Sequence, residues 1–202
     1  MHGYSTDSNE RRIVPFLLAA LAIALAWMLS RFLAATHFSA PWWVDAPSSM
    51  GLYGALYALF DKHLWRNRSI RKLGLVRVPN LTGRWGGYLT SSFDEHVKHL
   101  DVKVQIFQTW TQISIVLSTA TSQSRSCVAA IQVADPDCIT LIYQYENQPQ
   151  ASALKTMHMH HGTAMLRISS GSLLTGDYYA GRDRGTFGQI SCRKQWSSAK
   201  AA

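Results

Sequence analysis

Leu100-Asp-Val-Lys-Val-Gln-Ile-Phe-Gln108, then Thr109-Trp-Thr111, then Gln112-Ile-Ser-Ile-Val-Leu-Ser118 is the stretch that decides the fold. Val102, Val104 and Ile106 fall on one face, against Lys103 and Gln105 on the other. That period of two marks a strand with one side buried. Ile113, Ile115 and Leu117 repeat the pattern after a connection of three residues, which reads as a β-hairpin.

The same alternation extends in both directions. Strands are expected over residues 84–91, 100–108, 112–120, 125–133, 138–146, 158–168, 173–180 and 185–193. Turn chemistry separates them: Val78-Pro-Asn-Leu-Thr-Gly83 opens the domain, Ala134-Asp-Pro-Asp137 and Ser169-Ser-Gly-Ser172 lie between strands. About eight antiparallel strands with short connections predict an up-and-down meander. Closing it into a lipocalin-like β-barrel removes its exposed edges. A β-sandwich is the alternative, and the scarcity of long crossovers argues against it. An eight-stranded barrel is wide enough for packed side chains or one small ligand.

Upstream the character changes. Residues 13–33 are nearly continuous Leu, Ala, Ile, Val and Phe, interrupted only near the end by Ser30 and Arg31. At about 1.5 Å per residue, ~20 such residues cross a hydrocarbon core. Pro15 is expected in the first turn of this helix, with Trp27, Arg31 and His37 at the far interface. A second apolar segment over about 47–64 is shorter and closes with Asp61, Lys62 and His63. It reads as a second transmembrane helix or as a buried amphipathic one. Trp42-Trp43 resembles an interfacial belt, and Gly51, Gly54, Ala55 and Ala58 would permit close helix approach. Arg11 and Arg12 precede the first segment, while Lys62, Arg66, Arg68, Arg71 and Lys72 follow the second. Such flanks hold both ends, and the domain beyond, on the cytoplasmic side. A signal peptide would account for the first segment only. The expected organisation is a tail with two transmembrane helices over 1–72, a linker over 73–80, a barrel over 81–196 and a tail over 197–202.

The net charge of +8 could suggest nucleic acid, but much of it lies in the juxtamembrane run 62–84. Attraction to anionic headgroups is the simpler reading, so membrane lipids rather than a DNA or RNA polymer are the expected partner. Cys127, Cys138 and Cys192 are odd in number and lack zinc spacing, so reduced thiols are expected. His158, His160 and His161 lack the supporting ligands a metal requires. Asp94, Glu95, Asp101, Glu146 and Asp177 form no acid/base pair, and no phosphate loop or nucleophile elbow is present. The chain therefore reads as a non-enzyme with neither metal nor cofactor.

Some strand positions break the apolar rule. Tyr143 and Tyr145 share a face, Tyr178 precedes the turn Gly181-Arg-Asp-Arg-Gly-Thr186, and Trp110 sits in a hairpin. Aromatic rings stack on bases and guanidinium groups fork onto phosphates. The same residues could equally form a tyrosine-rich exterior with two arginines paired to Asp183. A membrane-anchored carrier of lipid or another hydrophobic ligand is a further reading of a small barrel.

The run 73–88 (LGLVRVPNLTGRWGGY), Gln108-Thr-Trp110 with Ile113-Ser-Ile115, Leu141-Ile-Tyr-Gln-Tyr145, His161-Gly-Thr-Ala164 and Gly176-Asp-Tyr-Tyr-Ala-Gly-Arg182 together resemble one bacterial family. It comprises the two-transmembrane, β-strand-rich effectors of cyclic-oligonucleotide antiphage systems (CBASS). The resemblance implies a barrel that senses a cyclic dinucleotide from a partner nucleotidyltransferase. Ligand binding would then drive homo-oligomerisation of the membrane segments, disruption of the bacterial inner membrane and abortive-infection death. It implies Trp110, Tyr143, Tyr178, Arg182, Arg184 and Thr186 as ligand contacts, and Trp85 with Gly86 and Gly87 as a structural element that closes the barrel.

Overall fold

Nine strands close into a barrel in the order β1-β4-β3-β2-β9-β8-β7-β6-β5. The computed structural model describes residues 1–35, 42–135, 137–153, 158–182 and 184–195. His37, Pro136 and Asp183 lie outside the described residues. Eight strands form the expected meander: β2 (Gly83–Leu89), β3 (Leu100–Gln108), β4 (Gln112–Ser118), β5 (Ser122–Gln132), β6 (Thr140–Pro149), β7 (His160–Ser169), β8 (Leu173–Ala180) and β9 (Phe187–Gln195). Each pairs antiparallel with the next, and β9 returns to β2.

The ninth strand corrects the sequence reading. His2–Thr6, which the hydropathy pattern assigns to a tail, is β1 and belongs to the barrel. It runs antiparallel to β4 and parallel to β5, filling a gap where those two strands part. Only Tyr4 carries a large apolar side chain inward, so periodicity has little to register.

The barrel and the helices form two separate units, Met1–Asp7 with Val78–Ala202, and Ser8–Arg77. In the barrel, alternate residues of β3, β4 and β6 point inward onto a core that includes Trp85, Val104, Ile106, Ile115, Leu141 and Leu166. One end of the cylinder is plugged. Val78, Leu81 and Trp110 are fully buried there, and the Trp85 indole N–H donates to the Leu81 carbonyl at 3.0 Å. The Gln108 side chain accepts from the Leu81 N–H at 2.8 Å and donates to the Pro79 carbonyl at 3.2 Å. Buried amide groups need such partners, and here one glutamine ties the incoming chain to β3. Trp85 thus closes this end of the barrel.

In the other unit, α1 (Glu10–Ala35) packs on α2 (Trp42–Lys62), and a short α3 (Arg68–Lys72) follows. α1 starts about a turn earlier than the apolar run suggests, because the Asn9 carbonyl accepts from Arg12 and Ile13. Pro15 therefore lies beyond the first turn. Glu10, Val14, Leu18 and Ala22 form a buried stripe, while Phe16, Ile23, Trp27 and Phe32 are each more than 60% exposed. An apolar surface of that extent is built for lipid rather than water. Among the described residues α1 alone has the length and hydropathy to cross a membrane.

Candidate functional site

In an up-and-down barrel, successive turns alternate between the two ends. The connections β2–β3, β4–β5, β6–β7 and β8–β9 share one end, opposite the plug. A cavity of about 100 Å³ opens there, lined by residues at all four of these connections, the third contributing through the facing ends of β6 and β7. Leu89, Ser91 and Leu100 come from the first, Thr119, Thr121, Ser122 and Ser124 from the second, Asn147 and His160 from the third, and Arg184 and Thr186 from the fourth. Tyr143, Tyr145 and Tyr178 reach up from the walls. The interior is therefore solid at one end and hollow at the other.

The tyrosines fit because their cross-strand neighbours are small. Tyr143 pairs with Ala164, which in turn pairs with Tyr178, and Tyr178 faces Gly188. Tyr145 pairs with Gly162. A Cβ at residue 162 would overlap the Tyr145 ring, and one at 188 would press on Tyr178 and on the Thr90 carbonyl. Glycine at both places is a requirement of space. The Tyr143 and Tyr145 rings lie 6.2 Å apart at 53°, a tilted pair.

Burial sets the protonation of this wall. It raises the Tyr143 phenol, helped by Tyr145 and Cys192. Burial also raises Tyr145, with Tyr178 adding and Arg184 opposing. The Tyr178 phenol is raised by burial too, against its hydrogen bond with Ser91 and the charge of Arg184. At neutral pH all three are hydroxyls, able to donate to a phosphate or base acceptor and to present a ring for stacking.

Among the described residues the lining holds one permanent cation, Arg184. Its guanidinium lies 5.7 Å from the Phe93 ring. Phe93 belongs to the 3-10 turn Ser92–Asp94 just after β2, whose Ser91 hydroxyl accepts from the Phe93 N–H at 3.2 Å. The Ser92 hydroxyl accepts from Phe187 N–H at 3.1 Å, pinning this turn to β9. His160 points inward with Nδ1 2.9 Å from the His158 carbonyl, which orients its ring, while His161 faces outward.

Four of the six expected contacts, Tyr143, Tyr178, Arg184 and Thr186, therefore meet in one cavity. Two do not. Trp110 is in the β3–β4 connection at the plugged end, fully buried, its carbonyl accepting from the Tyr4 hydroxyl at 2.8 Å. Its place is structural, and the parity of the turns puts it there. Arg182 is exposed and outside the lining. Sequence reasoning misses Ser122, Ser124, Asn147 and His160. Their signal is the alternation of buried serines at 122, 124 and 126 along β5, polar positions on an inward face.

The lining mixes rings with hydroxyls, an amide, an imidazole and a guanidinium. An acyl chain can form no hydrogen bond with any of these groups. A nucleotide supplies acceptors for them.

Comparison with known proteins bears on both units. Residues 76–194 match the family described as Cap15, cyclic dinucleotide receptor domain. Residues 12–66 match the family described as Cap15, TM helices. The chain is also 35% identical over 147 residues to the CD-NTase-associated protein 15 of Yersinia aleksiciae, covering 71% of this chain and 68% of that one.

Proposed function

The chain belongs to the Cap15 family of CBASS effectors, with a cyclic dinucleotide receptor domain joined to a transmembrane domain, and from that premise we propose how the barrel receives its ligand and how binding acts on the membrane. A cyclic dinucleotide made by a partner nucleotidyltransferase inserts one nucleobase between Tyr143, Tyr145 and Tyr178. Its sugar-phosphate ring stays at the rim, where Arg184 forks onto a phosphate and Thr186, Thr119 and Thr121 supply hydroxyl donors. Asn147 and His160 meet the edge of the base.

The size of the cavity supports this partial insertion. Sites for drug-sized ligands measure ~300–1,000 Å³, whereas the hollow here holds about 100 Å³. A dinucleotide that enters must push the rim apart. Binding energy spent on that movement is what favours one barrel state over another, and only a difference between states can drive a switch.

The open rim favours self-association of the membrane segments. The barrel and both ends of the helical hairpin lie on the cytoplasmic side of the inner membrane, with α1 and α2 as the two spans. Gly51 and Gly54 carry no neighbour within 4 Å of a would-be Cβ, leaving a small-residue face for a second hairpin. Assembly disrupts the membrane and kills the infected cell.

The observation that carries the reading is the convergence of Arg184 with three neutral tyrosines around one hollow end of the barrel. The test is dye release from liposomes containing the full chain. Release on adding a cyclic dinucleotide, lost in Arg184→Ala, is expected; release indifferent to the ligand would end the proposal.

A further inference from the structure

The β4–β5 hairpin is divided. Along its outer half the two strands pair, Val116 with Arg125, Leu117 with Ser124 and Ser118 with Gln123. Its turn and inward serines line the cavity. Below that the strands separate, and β5 shifts register between Ser126 and Val128. β1 occupies the fork. His2 and Gly3 pair with Ile113 and Gln112, and Tyr4, Ser5 and Thr6 pair with Ala129, Ala130 and Ile131.

One hydroxyl sits at the crotch. Ser126 Oγ accepts the Ile115 N–H at 2.9 Å and lies 2.8 Å from His2 Nε2. It replaces a lost backbone pairing between β4 and β5 and ties β1 to the same point. Further along, Tyr4 is buried and donates its hydroxyl to the Trp110 carbonyl. The Asp7 carboxylate then accepts the N–H groups of Val133 at 2.7 Å and Ala134 at 3.1 Å. Only Ser8 and Asn9 separate Asp7 from the first residue of α1.

Resting on that ligand reading, we infer that β1 is the strap that carries the cavity's state to the membrane helix. A ligand that spreads the rim moves the β4–β5 turn. The hairpin pivots where its pairing ends, at Ser126, and the pivot changes the grip on β1. Because the tether to α1 is two residues long, a shift or release of β1 reaches the helix with little slack to absorb it. A strand that served only to seal the barrel would stay in place throughout.

The test uses the full chain in dye-loaded proteoliposomes with cyclic dinucleotide added. Ser5→Cys with Ala130→Cys, in a Cys127→Ser background, places thiols on paired residues. Adjacent strands lie ~4.8 Å apart, within the ~4.4–6.8 Å Cα range of a disulfide. The oxidised protein is expected to keep ligand affinity within about threefold and to lose dye release by about tenfold or more, with reductant restoring it. The reduced form of the same protein controls for folding. A second variant with four Gly/Ser residues inserted between Asn9 and Glu10 should also bind and fail to release. Undiminished release from the oxidised or the inserted protein overturns the inference. Loss of binding on oxidation overturns it too, since β1 would then be part of the site. If the unmodified chain binds no cyclic dinucleotide, the function reading falls and this inference with it.

Discussion

Tyr145 stands directly across the sheet from Gly162, and its ring occupies the volume that any side chain at 162 would claim. A glycine in the middle of a strand weakens it. Here that weakness makes room for an aromatic ring at the mouth of the barrel.

Gly162→Ala should act on the site and on the β7–β8 pairing together, because the new Cβ would meet both the Tyr145 ring and the Tyr179 carbonyl. Overpacking costs ~1–3 kcal/mol, and tilting the ring removes a stacking surface worth ~1–3 kcal/mol. Calorimetric titration of the variant should show ligand affinity reduced about tenfold or more, with a lowered but cooperative thermal transition. Unaltered affinity would take Tyr145 out of the site.

The two arginines of the β8–β9 connection should separate. Arg184 lines the cavity and Arg182 does not. A hydrogen bond to a charged group is worth ~1.5–3 kcal/mol, so Arg184→Ala should weaken binding by about tenfold to a hundredfold and flatten its salt dependence. Arg182→Ala should leave affinity within about threefold. Affinity measured at two salt concentrations checks both.

Stability should fall on the alkaline side. Burial holds the Tyr143, Tyr145 and Tyr178 phenols above their ordinary value of 10.0 and pushes the Cys192 thiol from 9.0 up to about 11. Well below their ordinary values these groups are neutral in both the folded and unfolded chain, and their contribution is fully present. As pH rises through those values the unfolded chain releases protons that the folded chain retains, so stability declines. The thermal midpoint should be flat from about pH 7 to 8 and drop beyond about pH 10. Tyr143→Phe should shrink the drop.

Tyr4→Phe tests how firmly β1 is held. It deletes the buried hydroxyl that donates to the Trp110 carbonyl, leaving that acceptor without this donor at a cost of ~1–3 kcal/mol. Hydrogen exchange should quicken in β1 and in β5 at residues 129–131, its pairing partners. Protection unchanged there would mean that the hydroxyl does not anchor the strand.

The meander strands are legible because their inward faces alternate, as Val102, Val104 and Ile106 do, and each pairs with its sequence neighbour. β1 is not legible. It has one buried ring in five residues, and its partners lie more than a hundred positions away. Tyr143, Tyr178, Arg184 and Thr186 are implied as contacts by the family resemblance, residue type alone leaving a tyrosine-rich exterior open, and they stand together around the cavity. Trp110 is misplaced by the same logic, since a residue's chemistry says nothing about which end of a barrel it occupies. The parity of the turns does. Ser122 and Ser124 escape notice because the strand is expected to begin at residue 125, whereas β5 starts at Ser122 and carries both inward.

Calorimetric titration of the full chain in nanodiscs with a panel of cyclic dinucleotides tests the central claim most directly. The account predicts saturable binding of at least one of them, weakened about tenfold or more in both Arg184→Ala and Gly162→Ala and kept within about threefold in Arg182→Ala. Affinity left unaltered by both substitutions at the cavity would contradict it, as would no binding at all.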